Sequence, residues 1–205
     1  MTDYAQPLRE EDVDADPVRQ FHAWLQAAGD VGVRMPEAAA VATADGDGAP
    51  SVRMVLVKQV DDRGFVFFTN YDSRKARELT ANPRAALLFY WDALGRQVRI
   101  EGAVGRTTPQ ESATYIRTRA RGSQLSALSS PQSRTVENRA VLETRVAELS
   151  ERYAGADLPL PEAWGGFRLT PATFEFWQNR EDRLHDRLLY RPRSDGGWAI
   201  ERLAP

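Results

Sequence analysis

Between residues 38 and 106 the chain keeps repeating one device: a short β-rich run, a tight turn and another run. "AAAVATADGDGAPSVRMVLVKQV" places two such runs around Gly46-Asp47-Gly48, the signature of a hairpin. "DDRG" then turns the chain into "FVFFTN", and Asp92–Gly95 interrupts "RAALLFYWDALGRQVRIEGAVGRTT". Strands joined by such short turns must pair antiparallel, and enough of them follow one another to close a barrel. After two helical segments, "FRLTPATFEFWQ", "RLHDRLLYRPR" and "WAIERLAP" return to strand patterns. The expectation is a mainly β, α+β fold: an antiparallel split barrel with flanking helices.

The helices announce themselves by period and caps. "PVRQFHAWLQAAG" starts on Pro17 and spaces Val18, Phe21, Trp24, Leu25 and Ala28 helically, as a buried face requires. In "TPQESATYIRTRARG", Thr108, Pro109 and Glu111 form a capping box with proline at the first helical position. The glycine at 122 is read as ending that helix. "SRTVENRAVLETRVAELSERYAG" reads as one longer helix with a buried stripe of Val136, Ala140, Leu142, Val146 and Leu149. Residues 1–16 are acidic and polar and are expected to form a flexible arm, with 17–205 a single domain.

Composition removes whole classes of chemistry. The chain has no cysteine and two histidines, so disulfides, thiolate chemistry and a histidine-rich metal centre are not expected. The formal net charge of -2 supplies no basic field for nucleic acid or an anionic membrane. The longest apolar run, "AALLFYW", is far short of the roughly 20 residues that span a bilayer. With a polar, leaderless N-terminal sequence, the expectation is a cytoplasmic protein. Neither a nucleophile–base pair nor a glycine-rich dinucleotide loop is visible, so an enzyme of this sequence would leave its hard chemistry to a cofactor.

What remains points to anions. Of 27 Lys+Arg, two are lysine, Lys58 and Lys75. Either the compact ammonium is needed there, or two lysines survive by sampling. "SRKARELTAN" can be capped by Asp72 or Ser73, yet puts Arg74 and Lys75 in the first helical turn, where the dipole disfavours cations. Such a terminus is either a phosphate cradle or an exposed turn that tolerates the repulsion. In "RMVLVK", Arg53 and Lys58 place a cation on each face of an apolar strand, so each face needs a partner. Tyr115, Arg119 and Ser123 form a second set suited to a phosphate ester, so a phosphorylated cofactor and a phosphorylated substrate are expected together. In "DRLHDRLLYRPR", read as a strand, Arg183, His185 and Arg187 share one face. They meet either solvent at a sheet edge or an anion.

Taken in order, "RMVLVK", "FFTNYDSRKARE", "ALLFYW", "RQVRIEG", "YIRTRARGSQ", "SPQS", "WGGFR", "FEFWQ", "RLHDRLLY" and "WAIERLAP" resemble the pyridoxamine/pyridoxine 5'-phosphate oxidases from about Pro17 to Pro205. The early motifs are shared among FMN-binding split barrels; "RLHDR" with "ERLAP" is more specific. The resemblance implies a homodimer with FMN at the subunit interface. By it Arg53, Met54, Val55, Leu56, Val57, Lys58, Phe68, Thr69, Arg74, Lys75, Gln97, Gln132, Ser133, Trp177 and Arg187 contact the flavin. Lys58, Tyr115, Arg119, Ser123, Arg183 and His185 hold the substrate, Arg183 and His185 as the catalytic pair. The implied reaction takes pyridoxamine or pyridoxine 5'-phosphate to pyridoxal 5'-phosphate, with dioxygen as acceptor and hydrogen peroxide released. Two departures stand out. Phe68 occupies a position where the family often has tyrosine, and Tyr4 is the counterpart of an arm tyrosine but has no arginine before it. Two other readings fit the same residues: an FMN oxidase of a phenazine-type substrate, and a non-catalytic carrier of flavin or pyridoxal phosphate.

Overall fold

The computed structural model describes residues 7–205, so Tyr4 lies outside the described residues. The expected strands form: β1 (Ala38–Ala44), β2 (Pro50–Asp61), β3 (Gly64–Asn70), β4 (Arg84–Trp91), β5 (Arg96–Arg106), β6 (Trp164–Gln178), β7 (Asp186–Pro192) and β8 (Trp198–Arg202). Every pairing is antiparallel, in the order β3-β2-β1-β4-β5-β6-β7-β8, and a β3–β6 pairing closes the first six into a barrel.

The long strand β6 makes the barrel a split one. Its first half, Trp164–Leu169, pairs with β3, and its second half, Phe174–Gln178, pairs with β7. The change of partner falls at Pro171, opposite Gly102, where the register with β5 shifts. Proline has no N–H to give to a ladder, so it marks the point at which one neighbour can be exchanged for another. A Cβ on Gly102 would stand 2.0 Å from the Thr170 carbonyl oxygen, so the strands cross there only because residue 102 is glycine.

The β2–β3 turn carries a stricter requirement. Gly64 has φ +126, and a Cβ there would lie 2.0 Å from the Leu169 carbonyl oxygen. Gly64→Ala therefore combines a forbidden backbone angle with a backbone clash in the barrel seam. It is expected to cost roughly 3 kcal/mol, read as a lower midpoint in urea unfolding.

The core is aromatic. Helix α1 (Pro17–Asp30) is capped by Asp16 and buries Phe21, Trp24 and Ala28. Phe21 meets Phe65 and Phe89 edge-on at 5.0 and 4.8 Å, and Trp24 meets Phe176 at 5.1 Å. Residues 7–16 differ from the expected flexible arm, because they dock on the last strands. Leu8 is buried; its N–H donates to Asp186 (3.1 Å) and its carbonyl accepts from Arg202 (2.7 Å), which also pairs with Glu10 (2.8 Å).

The remaining helices are α2 (Arg74–Ala81), α3 (Pro109–Thr118), α4 (Arg121–Ser129) and α5 (Arg139–Arg152). The capping box at Thr108 and Glu111 forms. Gly122, however, ends no helix. Arg119 and Ala120 adopt extended backbone (ψ 147 and 142), break the segment, and let α4 begin at Arg121. The expected stripe on α5 also differs: Val136 precedes the helix, Ala140 is exposed, and no residue of α5 is buried. Val141, Leu142, Val146 and Leu149 are half-buried, and the helix packs chiefly on α4.

Candidate functional site

The phosphate-cradle reading of "SRKARE" can be followed atom by atom. Ser73 caps α2, its hydroxyl accepting the Ala76 N–H. Lys75 turns inward and is 8% exposed. Its Nζ donates to Thr69 Oγ1 (2.9 Å) on β3 and to Gln132 Oε1 (3.1 Å) on the loop after α4. Ser133, next to Gln132, holds left-handed backbone (φ 71). Arg53 reaches over from β2 and Arg74 from α2; both pair with Glu78, at 3.0 and 2.8 Å. Burial, then the neighbouring Arg53 charge, lowers the Lys75 pKa to about 8, partly offset by Glu78. Burial works against the Glu78 carboxylate, but hydrogen bonds from Ser51, Thr43, Arg74 and Arg53 outweigh it and bring it to about 2. Three cations therefore gather around one carboxylate, with hydroxyl and amide groups between them. That donor set suits a phosphate dianion.

An aromatic shelf adjoins the cradle, since Phe68 precedes Thr69 on β3. Phe68 stacks on Tyr115 of α3 at 3.9 Å and on Trp164 at 5.4 Å; the Arg119 guanidinium lies 5.5 Å from the Trp164 ring. Arg119 and Tyr115 thus come together although Arg119 caps α3 rather than sitting within it. Beside the shelf is a cavity of about 340 Å³ lined by Lys58, Gln59, Phe68, Thr108, Tyr115 and Thr118. The β2–β3 register shifts between Val57 and Gln59, so Lys58 occupies a bulge, which re-aims a side chain. Its ammonium pairs with Glu37 at 2.8 Å. Ser123 lies in the first turn of α4 and is half-buried.

The third group of expected residues sits elsewhere. Gln97 is the register partner of Trp177, and Trp177 that of Arg187. The His185 ring lies 4.6 Å from Trp177, and its Nδ1 accepts the Arg180 N–H at 3.2 Å, leaving Nε2 as the donor of the neutral ring. Arg187 donates to buried Glu175 (2.8 Å) and to the Ala204 carbonyl (2.8 Å). The reading of Arg183, His185 and Arg187 as one strand face is corrected. Asp182 and Arg183 have φ 55 and 60 and form a tight turn, and β7 begins only at Asp186. Arg183 is exposed in that turn.

These groups do not meet within one chain. Thr69 is opposite Gly165 and Arg187 opposite Trp177, twelve residues apart on β6, or about 40 Å of strand at 3.3 Å per residue. The outward face of β2 carries Val52 (67% exposed), Met54 (64%) and Leu56 beside Ala42, Ala40 and Ala38 of β1. Expected flavin contacts Met54 and Leu56 belong to this open apolar face, while Val55 and Val57 point inward. Among the described residues there is no cluster suited to a metal ion and no helix long and apolar enough to cross a membrane.

Comparison with known proteins settles the lineage. The profile of the family described as pyridoxamine 5'-phosphate oxidase matches residues 25–153, and that of the pyridoxine 5'-phosphate oxidase C-terminal dimerisation region matches 164–205. The chain belongs to the pyridoxamine 5'-phosphate oxidase family. It is accordingly an oxidoreductase of the split-barrel, flavin-using type. A pyridoxine/pyridoxamine 5'-phosphate oxidase of Rubrobacter xylanophilus is 54% identical over 97% of this chain and 91% of its own. One from Ralstonia pickettii is 52% identical over 100% and 96%. Among solved structures, PhzG from Burkholderia lata, in complex with tetrahydrophenazine-1-carboxylic acid, superposes with a TM-score of 0.89. It is 35% identical and covers 100% of this chain and 97% of its own. Sequence reasoning missed two residues of these groups. The buried carboxylates Glu78 and Glu175 each hold expected flavin-contacting arginines. The one visible hint was the four-residue spacing of Arg74 and Glu78.

Proposed function

We propose that the protein oxidises pyridoxamine and pyridoxine 5'-phosphate to pyridoxal 5'-phosphate, with FMN as cofactor and dioxygen as final acceptor. The observation that carries this reading is the presence of two phosphate-suited sets on either side of Phe68. Arg53, Thr69, Arg74, Lys75 and Gln132 would hold the phosphate of FMN. Lys58, Tyr115, Arg119 and Ser123 would hold the ester phosphate of the substrate. FMN, when bound, supplies a two-electron acceptor that dioxygen re-oxidises, giving hydrogen peroxide. The substrate loses two electrons and one proton from C4' and a second proton from the attached oxygen or nitrogen; for the amine, water then replaces nitrogen and ammonia leaves.

The chain's own part is binding and orientation. Phe68, Tyr115 and Trp164 give a flat wall beside which a pyridine ring can lie. Gln97, Trp177, Arg183, His185 and Arg187 would come from the second copy of a homodimer, since one chain keeps them far from Lys75. The matched dimerisation region and the open apolar face of β2 support this arrangement. His185, with Nδ1 already engaged, would offer Nε2–H to the substrate, and Arg183 would close beside it.

The likeness to PhzG favours a second reading, oxidation of a phenazine-type substrate, which would have no use for an ester-phosphate set. A carrier without turnover would use the same residues. Peroxide release decides among the three: steady turnover with pyridoxamine 5'-phosphate supports the proposal, and turnover restricted to a phosphate-free aromatic, or none at all, rejects it. Arg119 gives a finer check. Arg119→Ala removes a charge-assisted contact of about 1.5–3 kcal/mol, so KM for pyridoxamine 5'-phosphate should rise roughly ten- to a hundredfold. The unphosphorylated amine should be hardly affected; equal damage to both would assign Arg119 to holding Trp164.

A further inference from the structure

Glu78 is a buried, heavily engaged carboxylate that the flavin reading leaves without a task. Its carboxylate is 5% exposed. Oε2 accepts from Thr43 of β1 and from Ser51 (2.6 Å) and Arg53 (3.0 Å) of β2. Oε1 accepts Arg74 Nε at 2.8 Å. A carboxylate needs good partners to be worth burying at all, and this one has four. Two of them are the guanidinium groups flanking Lys75, and both keep an open side, with Arg53 22% and Arg74 59% exposed.

We propose that Glu78 is the positioning residue of the phosphate cradle: it fixes Arg53 and Arg74 in place and balances the charge that they and Lys75 concentrate there. The proposal rests on the FMN reading above. Three cations this close repel one another, and without a counter-charge the two guanidinium groups gain by swinging into water. Held by Glu78, and in the case of Arg53 also by the Val41 carbonyl, Thr43 and Ser51, they present Arg53 Nε and the unused N–H groups of Arg74 without losing side-chain freedom when a phosphate arrives. The charged groups around Lys75 are Arg53 from β2 and Arg74 and Glu78 from α2. Its direct partners, Thr69 of β3 and Gln132 of the loop after α4, are neutral. Glu78 is therefore the group that favours the protonated ammonium. A salt bridge that merely pinned α2 to the sheet would support every ligand of the site equally; a positioning residue supports the phosphate alone.

The experiment titrates full-length apoprotein with FMN and with riboflavin, which lacks the phosphate, following flavin fluorescence from pH 6 to 9. The ratio of the two Kd values isolates the phosphate's share. In Glu78→Gln the ratio is expected to fall about tenfold or more, with riboflavin affinity unchanged. The pH above which FMN binding weakens, near 8 in the wild type where Lys75 loses its proton, should move down. Equal losses for FMN and riboflavin, or an unchanged ratio and pH profile, would overturn the proposal and leave the FMN reading standing. Wild-type protein that binds neither flavin overturns both. If Glu78→Gln fails to fold, Glu78→Asp keeps the charge but shortens its reach. Its ratio should drop while the pH profile stays, and an unaltered ratio again rejects the idea.

Discussion

Lys75→Ala is expected to leave purification colourless, whereas the wild type should be yellow and release FMN on denaturation. The lysine donates to Thr69 and Gln132 and is nearly buried. Losing its charge-assisted contact to a phosphate costs about 1.5–3 kcal/mol, and the methyl side chain leaves the Thr69 hydroxyl oxygen without its lysine donor, while Gln132 keeps only the Thr69 hydroxyl (2.8 Å). Retention through dialysis should fail, and added FMN should bind at least tenfold more weakly. The pH behaviour of the wild type follows from the same group. Burial lowers the Lys75 pKa to about 8 from 10.5, so the unfolded chain binds the proton more readily than the folded one. Stability of the apoprotein should therefore rise as pH passes from about 8 towards 10.5, while FMN affinity falls over the same window. A Lys75→Ala protein as yellow as the wild type would remove the cradle from the FMN site.

Complementation between two inactive variants tests the shared site. Lys75→Ala and Arg187→Ala homodimers should each be nearly inactive, because every site lacks one cation. In a mixed dimer both lesions fall in the same site and the other is intact. Random mixing makes about half of the dimers mixed, each with one good site, so co-expression should restore about a quarter of wild-type activity. Dimers carrying two different tags, purified in tandem, would hold one intact site in two. Tandem-purified dimers as inactive as their parents would place both residues in one subunit's site, against the twelve residues of β6 that separate them here.

The sequence was most legible where local chemistry decides. The hairpin glycines, the proline-led α1 and the capping box of α3 all act within a few residues and appear where the pattern puts them, and of the two candidate caps of α2 the structure takes Ser73. It was least legible where a residue's role depends on register. Glu175 becomes the partner of Arg99 and Arg187 only because β5 and β7 flank β6 in one alignment. Period-two reasoning put Arg53 and Lys58 on opposite faces of one regular strand, and gave no sign of the bulge that falls at Lys58. It also ran Arg183, His185 and Arg187 into a single row, whereas Asp182 and Arg183 take left-handed backbone, which asparagine and aspartate accept more readily than other non-glycine residues. Arg119 and Ala120 break a helix with no glycine or proline to warn of it. The residues expected to contact flavin and substrate fall into groups at the two ends of β6, a separation that no motif could show.

The length of β6 has a consequence for how the protein holds its cofactor. A lone chain carries the proposed phosphate cradle at one end of the strand and the Trp177–Arg187 group at the other. With FMN seated in the proposed way, each flavin acts as a rivet between two chains, so loading and assembly are thermodynamically coupled. Whatever strengthens one strengthens the other by the same factor. Scarcity of flavin then loosens the pair, and dilution of the protein sheds flavin, although no residue of the site has changed.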